Sequence, residues 1–232
     1  GLSFVTGTGL TIFASQLATG TGVYNLVWWG MLLSGVGWGS SEAVINPLTT
    51  LIQDAIDLGL SPNMAELTIK SILGLPAEIH LQTYDAYAVL LSDPNDATAL
   101  AVEEVAVQIA ILTSLSDDDT GMNLTLKILE AAAAIPPQML DLANVDDLSW
   151  ILGIPAIADP DTGKYPEPLN EILDRNLSMS DAVDDVMSGG GPVGATGLSV
   201  IEAEWQDLLS RLMAYVTNFS HKIIPATGRF QL

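Results

Sequence analysis

The charged residues of this chain are confined to one part of it. Residues 1–41 carry none, and all 28 Asp and Glu and all 7 Lys and Arg lie at or beyond Glu42. An uncharged stretch that is also apolar has to be covered by something, whereas the acidic remainder is able to surround a core with a solvated surface. The uncharged segment opens on Gly and Thr and then runs through Val23, Tyr24, Leu26, Val27, Met31, Leu32 and Leu33, with Trp28, Trp29 and Trp38 inside eleven residues. A membrane-spanning helix needs about 20 predominantly apolar residues. Val23 to Trp38 is shorter and is broken by Gly30, Ser34, Gly35 and Gly37, so membrane association is open but not favoured. Glycine punctuation among β-branched and aromatic residues fits short strands, or an extended arm docked on the body or on a neighbour. Trp28, Trp29 and Trp38 are accordingly the interface candidates.

The 232 residues are 49% hydrophobic, enough for a sizeable core and against whole-chain disorder. The formal net charge of −21 and pI near 4.1 repel phosphate backbones, which sets nucleic acid aside as a partner. Acidic excess keeps an apolar protein dispersed, and it also suits salty surroundings or cation binding. With no cysteine there is no disulfide, zinc-thiolate site or thiol nucleophile, which agrees with an exported bacterial protein. The start at Gly1 suggests a processed product or a piece of something longer, and no basic stretch followed by an apolar one marks residues 1–20 as a signal peptide.

From Asn46 the pattern turns helical. Asn46 is placed as N-cap and Pro47 as first helical residue, and Leu48, Leu51, Ile52, Ala55 and Ile56 recur on one face until Gly59. Ser61 and Pro62 open a second helix whose stripe is Ala65, Ile69, Ile72 and Leu73, ending at Gly74, and the two read as an antiparallel helical hairpin. A turn at Asp93-Pro94-Asn95-Asp96 precedes the strongest helical signal, Ala97 to Leu115, in which Glu103, Glu104 and Gln108 are the only polar side. A helix apolar almost all round belongs at the centre of a core. Asn123 is the expected cap of a helix to about Ala134, stopped by Pro136-Pro137. Short elements are expected between Pro136 and Gly191, where Pro155, Pro160, Pro166 and Pro168 break the chain, and Gly189-Gly190-Gly191-Pro192 reads as a joint. Ser199 and Glu202 have capping-box spacing before a long amphipathic helix through Ile201, Trp205, Leu208, Leu212 and Phe219.

The order Asn46-Pro47-Leu48-Thr49-Thr50-Leu51, Gly59-Leu60-Ser61, Ile72-Leu73-Gly74-Leu75-Pro76, Thr83-Tyr84-Asp85 and Asp96-Ala97-Thr98-Ala99-Leu100-Ala101-Val102 resembles a helical module. That module recurs in very large secreted RTX-like calcium-binding and adhesin-type proteins of Gram-negative bacteria, and the resemblance covers roughly residues 43–113. It implies an extracellular or cell-surface location, a structural or adhesive role, and a parent protein rich in acidic calcium-binding repeats. The glycine- and aspartate-rich nonapeptide repeats that carry the family's calcium sites do not occur in this sequence, so calcium binding does not follow from the resemblance.

Calcium takes several oxygen ligands at about 2.3–2.6 Å, which directs attention to loops with clustered aspartates. Asp117 and Asp119, with Asp118 between them, lie beside Gly121, but the EF-hand position for the bidentate Glu falls on Ile128. Asp159 and Asp161 flank a Thr162-Gly163 turn with Glu167 beyond, and Lys164 stands where the EF-hand glycine belongs. These four aspartates are candidates for an irregular calcium site, and a solvated acidic loop is the plainer reading of both. The two histidines are read as solvent-facing or helix-end residues, His80 in a linker and His221 following the last helix beside Lys222. No Gly-x-Ser-x-Gly, His-Glu-x-x-His or Walker-type run is present, and no carboxylate pair stands out. The glycosylation-like triplets at Asn123, Asn176 and Asn218 are read as chance matches.

The expectation is a mainly α protein, an irregular helical bundle preceded by an uncharged Trp-rich arm open to short β-strands. Residues 1–45 form the arm, 46–135 a helical core module, 136–197 short helices and loops, and 198–232 a long C-terminal helix and tail. The function expected is a non-enzymatic structural or adhesive component of a secreted bacterial surface assembly, with a protein partner or self-assembly through the arm. The alternative is a subunit that binds an apolar small molecule, lipid or pigment, or that associates with a membrane.

Overall fold

The structure is a computed structural model that describes residues 22–28, 31–37, 44, 46–116 and 120–223. It is mainly α, with eight helices packed as a bundle. Strands β1 (Gly22–Trp28) and β2 (Met31–Gly37) form an antiparallel pair in which Gly22 faces Gly37 and Trp28 faces Met31. Helix α1 (Pro47–Asp57) follows, and its backbone runs beside β2.

Local chemistry accounts for the helix starts. Asn46 accepts from the Thr49 N–H at 2.9 Å, and the Thr49 hydroxyl accepts from the Asn46 N–H at 2.9 Å, so two otherwise unpaired donors satisfy each other. Pro47 loses nothing by lacking an N–H at the first position. Gly59, at φ +106, turns the chain in a conformation that a side chain would strain. Helix α2 (Pro62–Ile72) packs on α1, and the linker after it is pinned from below. Buried Lys70 donates to the carbonyls of Ala77 at 2.9 Å and Ile79 at 2.6 Å, while Glu66 accepts from the Leu81 N–H at 2.9 Å. Asp85 caps α3 (Ala86–Ser92), and Asp96 caps α4 (Ala97–Leu115) through the Ala99 N–H at 2.8 Å.

Helix α4 is the axis of the bundle, contacted by α1, α3, α7 (Leu169–Met187) and α8 (Gly197–Ile223), and more lightly by α5 (Thr120–Ala133). Its Leu100, Val102, Val107, Ile109, Ile111 and Leu112 are buried, in keeping with the central place its sequence implied. Helix α6 (Val145–Leu152) bridges α5 and α7. One continuous apolar core runs from Leu48 on α1 to Leu208 on α8. Among the described residues α4 is the one helix long and apolar enough to cross a bilayer, and most of it is buried inside the bundle.

Four local expectations are corrected. Asn123 does not cap α5, which starts at Thr120; it lies within the helix and donates to the Ile151 carbonyl at 2.6 Å. The region between Pro136 and Gly191 holds a 19-residue helix, α7, because Leu169, Ile172, Leu173, Asn176, Met179 and Val183 supply a buried stripe. The capping box of α8 lies earlier, with the Thr196 hydroxyl accepting from the Ser199 N–H and the Ser199 hydroxyl accepting from the Thr196 N–H. Helix α8 also reaches Ile223, so His221 is inside it and not beyond it.

Candidate functional site

The polar side of α4 does not face water. Glu103 turns toward α8, and Glu104 and Gln108 turn toward α7, where each meets a polar partner. Glu103 is 6% exposed and accepts from the Trp205 indole N–H of α8 at 3.4 Å. Burial, above all, pushes its carboxyl up to about 7; the Trp205 bond opposes this and the nearby Asp85 charge adds to it. Asp85 uses one oxygen to cap α3 through the Ala88 N–H, and its Oδ2 is buried with no hydrogen-bond partner. Beside them the Tyr87 hydroxyl donates to Glu202 at 2.8 Å, and burial with the Glu202 and Glu103 charges pushes the phenol up.

One residue further along, Glu104 accepts from the Ser180 hydroxyl of α7, which accepts in turn from the Gln108 amide at 3.1 Å. Burial raises the Glu104 carboxyl, and the charges of Asp184 and Asp141 raise it further against the Ser180 bond. These groups border a cleft of about 330 Å³ whose other walls include Leu73, Leu75, Val105, Leu140 and Leu142. The arrangement offers an aliphatic surface with one hydroxyl, one amide and two carboxyl groups, those of Glu104 and Asp141. A second cleft, of about 390 Å³, lies at the start of α2 between Ser61, Glu66, His80 and Thr83. His80 there is mostly exposed, with its Nδ1 3.7 Å from Glu66. On α1, burial lifts the Asp54 carboxyl to about 6, offset in part by the Thr125 hydroxyl and reinforced by Asp57.

The aspartates singled out for calcium fall differently. Asp117 and Asp119 lie outside the described residues. Asp159 is fully exposed, and its Oδ1 accepts from the N–H groups of Asp161 at 2.8 Å and Thr162 at 2.9 Å. Those backbone bonds hold its carboxyl below the ordinary range. Asp161 stands exposed in the same turn. That carboxylate is therefore engaged in closing a turn. Among the described residues no group of three or more His, Asp and Glu side chains is placed to hold a metal ion. Of the interface candidates, Trp28 ends the backbone ladder of β1, while Trp29 and Trp38 lie outside the described residues.

The interior cluster around Glu103 went unread in the sequence, although two adjacent glutamates in the middle of an apolar helix were its signal. No family model, no curated protein and no solved structure matches the chain.

Proposed function

We propose that this chain is a non-catalytic structural or adhesive module of an acidic, secreted bacterial surface protein, and that its uncharged leading segment packs against another copy or another subunit. The observation that carries this reading is the separation of 41 uncharged, Trp-containing residues from a body that bears every charge of the molecule. An apolar segment of that length beside so acidic a surface favours burial against a partner over exposure to water. Within the body, side chains tie α7 to α8 across about 30 to 40 residues of sequence. Arg175 of α7 donates to Glu204 at 3.0 Å and Asp207 at 2.7 Å on α8, and Arg211 of α8 returns to Glu171 of α7 at 2.7 Å.

The test is the mass of the full chain by light scattering, compared with a variant carrying Ser at Trp28, Trp29 and Trp38. The variant is expected to lose self-association or partner capture while its helical circular dichroism stays unchanged. Equal masses and equal partner binding would end the proposal.

A second reading rests on the 330 Å³ cleft beside Glu104, which lies at the small end of ligand-pocket sizes and is walled largely by aliphatic side chains. It makes the chain a binder of a small, largely apolar molecule. A reproducible extra mass in native mass spectrometry of the purified protein, lost in Ala101→Phe, favours this reading over assembly.

A further inference from the structure

Three carboxylates and a phenol gather where α8 crosses α3 and α4. Asp85 caps α3 and Tyr87 lies on it, Glu103 comes from α4 and Glu202 from α8, and the Trp205 indole of α8 donates to Glu103. We propose that this cluster is a proton-operated latch: a proton held by Glu103 seats the 201–208 stretch of α8 on α3 and α4, and loss of that proton lets the stretch lift.

The geometry leaves a charged Glu103 poorly compensated. Its bond from Trp205 is long, at 3.4 Å, and comes from a neutral donor. Asp85 Oδ2, buried and unpartnered, adds like charge from the α3 side. Tyr87 spends its proton on Glu202 and has none to give Glu103. The other elements packed on α4 bring no compensating charge among the described residues. On α7, Ser180 and Asp184 face Glu104. On α1, Asp54 is engaged with Thr125 of α5, and on α5 Lys127 is paired with Glu130. Lys70 is bound to the linker carbonyls, and Arg175 and Arg211 lie along the contact between α7 and α8.

Neutralising Glu103 removes both the desolvation cost and the repulsion in one step, while a charged Glu103 gains most by reaching water, which requires Trp205 to move. The start of α8 is fastened separately, with Asn95 accepting from the Gly197 N–H at 2.8 Å and the Pro94 carbonyl from the Leu198 N–H at 2.9 Å. The stretch beyond it is also tied to α7 by Arg175, which holds Glu204 and Asp207, so lifting has to part these two ion pairs as well.

Amide hydrogen exchange of the full chain between pH 6 and 8.5, corrected for intrinsic rates, reads this directly. Residues 201–208 are expected to lose about tenfold in protection relative to residues 145–152 of α6, the change that a carboxyl titrating near neutrality imposes over that interval. Glu103→Gln, an isosteric stand-in for the protonated acid, is expected to abolish the loss. Asp85→Asn keeps the α3 cap but removes the like charge, and it is expected to move the midpoint to lower pH. Protection in 201–208 that does not change with pH, or that changes equally in both variants and the parent, overturns the latch.

Discussion

A buried carboxyl held at about 7, as Glu103 is, makes the folded chain bind a proton more tightly than the unfolded chain, whose glutamates titrate near 4.5. Its contribution is therefore fully present below about 4.5 and is lost as pH rises through about 7. Asp54, lifted from 3.8 to about 6, acts in the same direction. Urea unfolding is thus expected to give a midpoint that falls steadily from pH 5 to pH 8. Glu103→Gln should leave stability nearly unchanged at pH 4.5 and raise it by about 1–3 kcal/mol at pH 8.5. An equal slope in parent and variant would mean that the pH dependence belongs to overall charge repulsion alone. None of this was legible from residue spacing. That Glu103 and Glu104 form the polar side of an apolar helix is plain in the sequence, but whether that side meets water or Trp205 depends on a helix 102 residues away.

At the scale of elements, the starts of α1, α2 and α4 were readable, whereas those of α5 and α8 were placed a few residues too late. Asn46-Pro47, Ser61-Pro62 and Asp96 each sit where a cap is chemically favoured, and each precedes a helix. The length of α7 was missed because four prolines drew attention away from a stripe that begins just past the last of them, at Leu169. How closely helices approach is likewise a tertiary fact. A Cβ at Gly197 would stand 2.5 Å from both Leu100 methyl carbons, so α8 enters against α4 without room for one more carbon. Gly197→Ala is expected to cost about 1–3 kcal/mol in chemical denaturation, because Leu100 is buried and has little space to yield. Between α7 and α8 the two arginines should behave unequally. Arg175 is 12% exposed and holds Glu204 and Asp207, so Arg175→Met is expected to destabilise by about 1–2 kcal/mol. Arg211 is far more open, and Arg211→Ala should cost less than about 0.5 kcal/mol. Similar losses in both would show that exposure does not set their worth.

For the whole molecule, the mainly α architecture followed from hydrophobic periodicity and the central place of α4 from its being apolar almost all round, neither of which needs knowledge of partners. The face of α4 that meets α7 and α8 did not, since it is completed by residues far along the chain. This order has a consequence for synthesis. A chain made from its N-terminus has its oiliest helix finished at Leu115, yet Met179, Val183, Ile201, Trp205 and Leu208, which join the same core, emerge only 64 to 93 residues later. During that interval α4 lacks part of its final cover, a state prone to clumping at ordinary cellular concentrations. The excess of aspartate and glutamate made meanwhile then keeps half-finished chains apart through mutual repulsion, so the acidity guards the newborn polypeptide as much as it solvates the mature one.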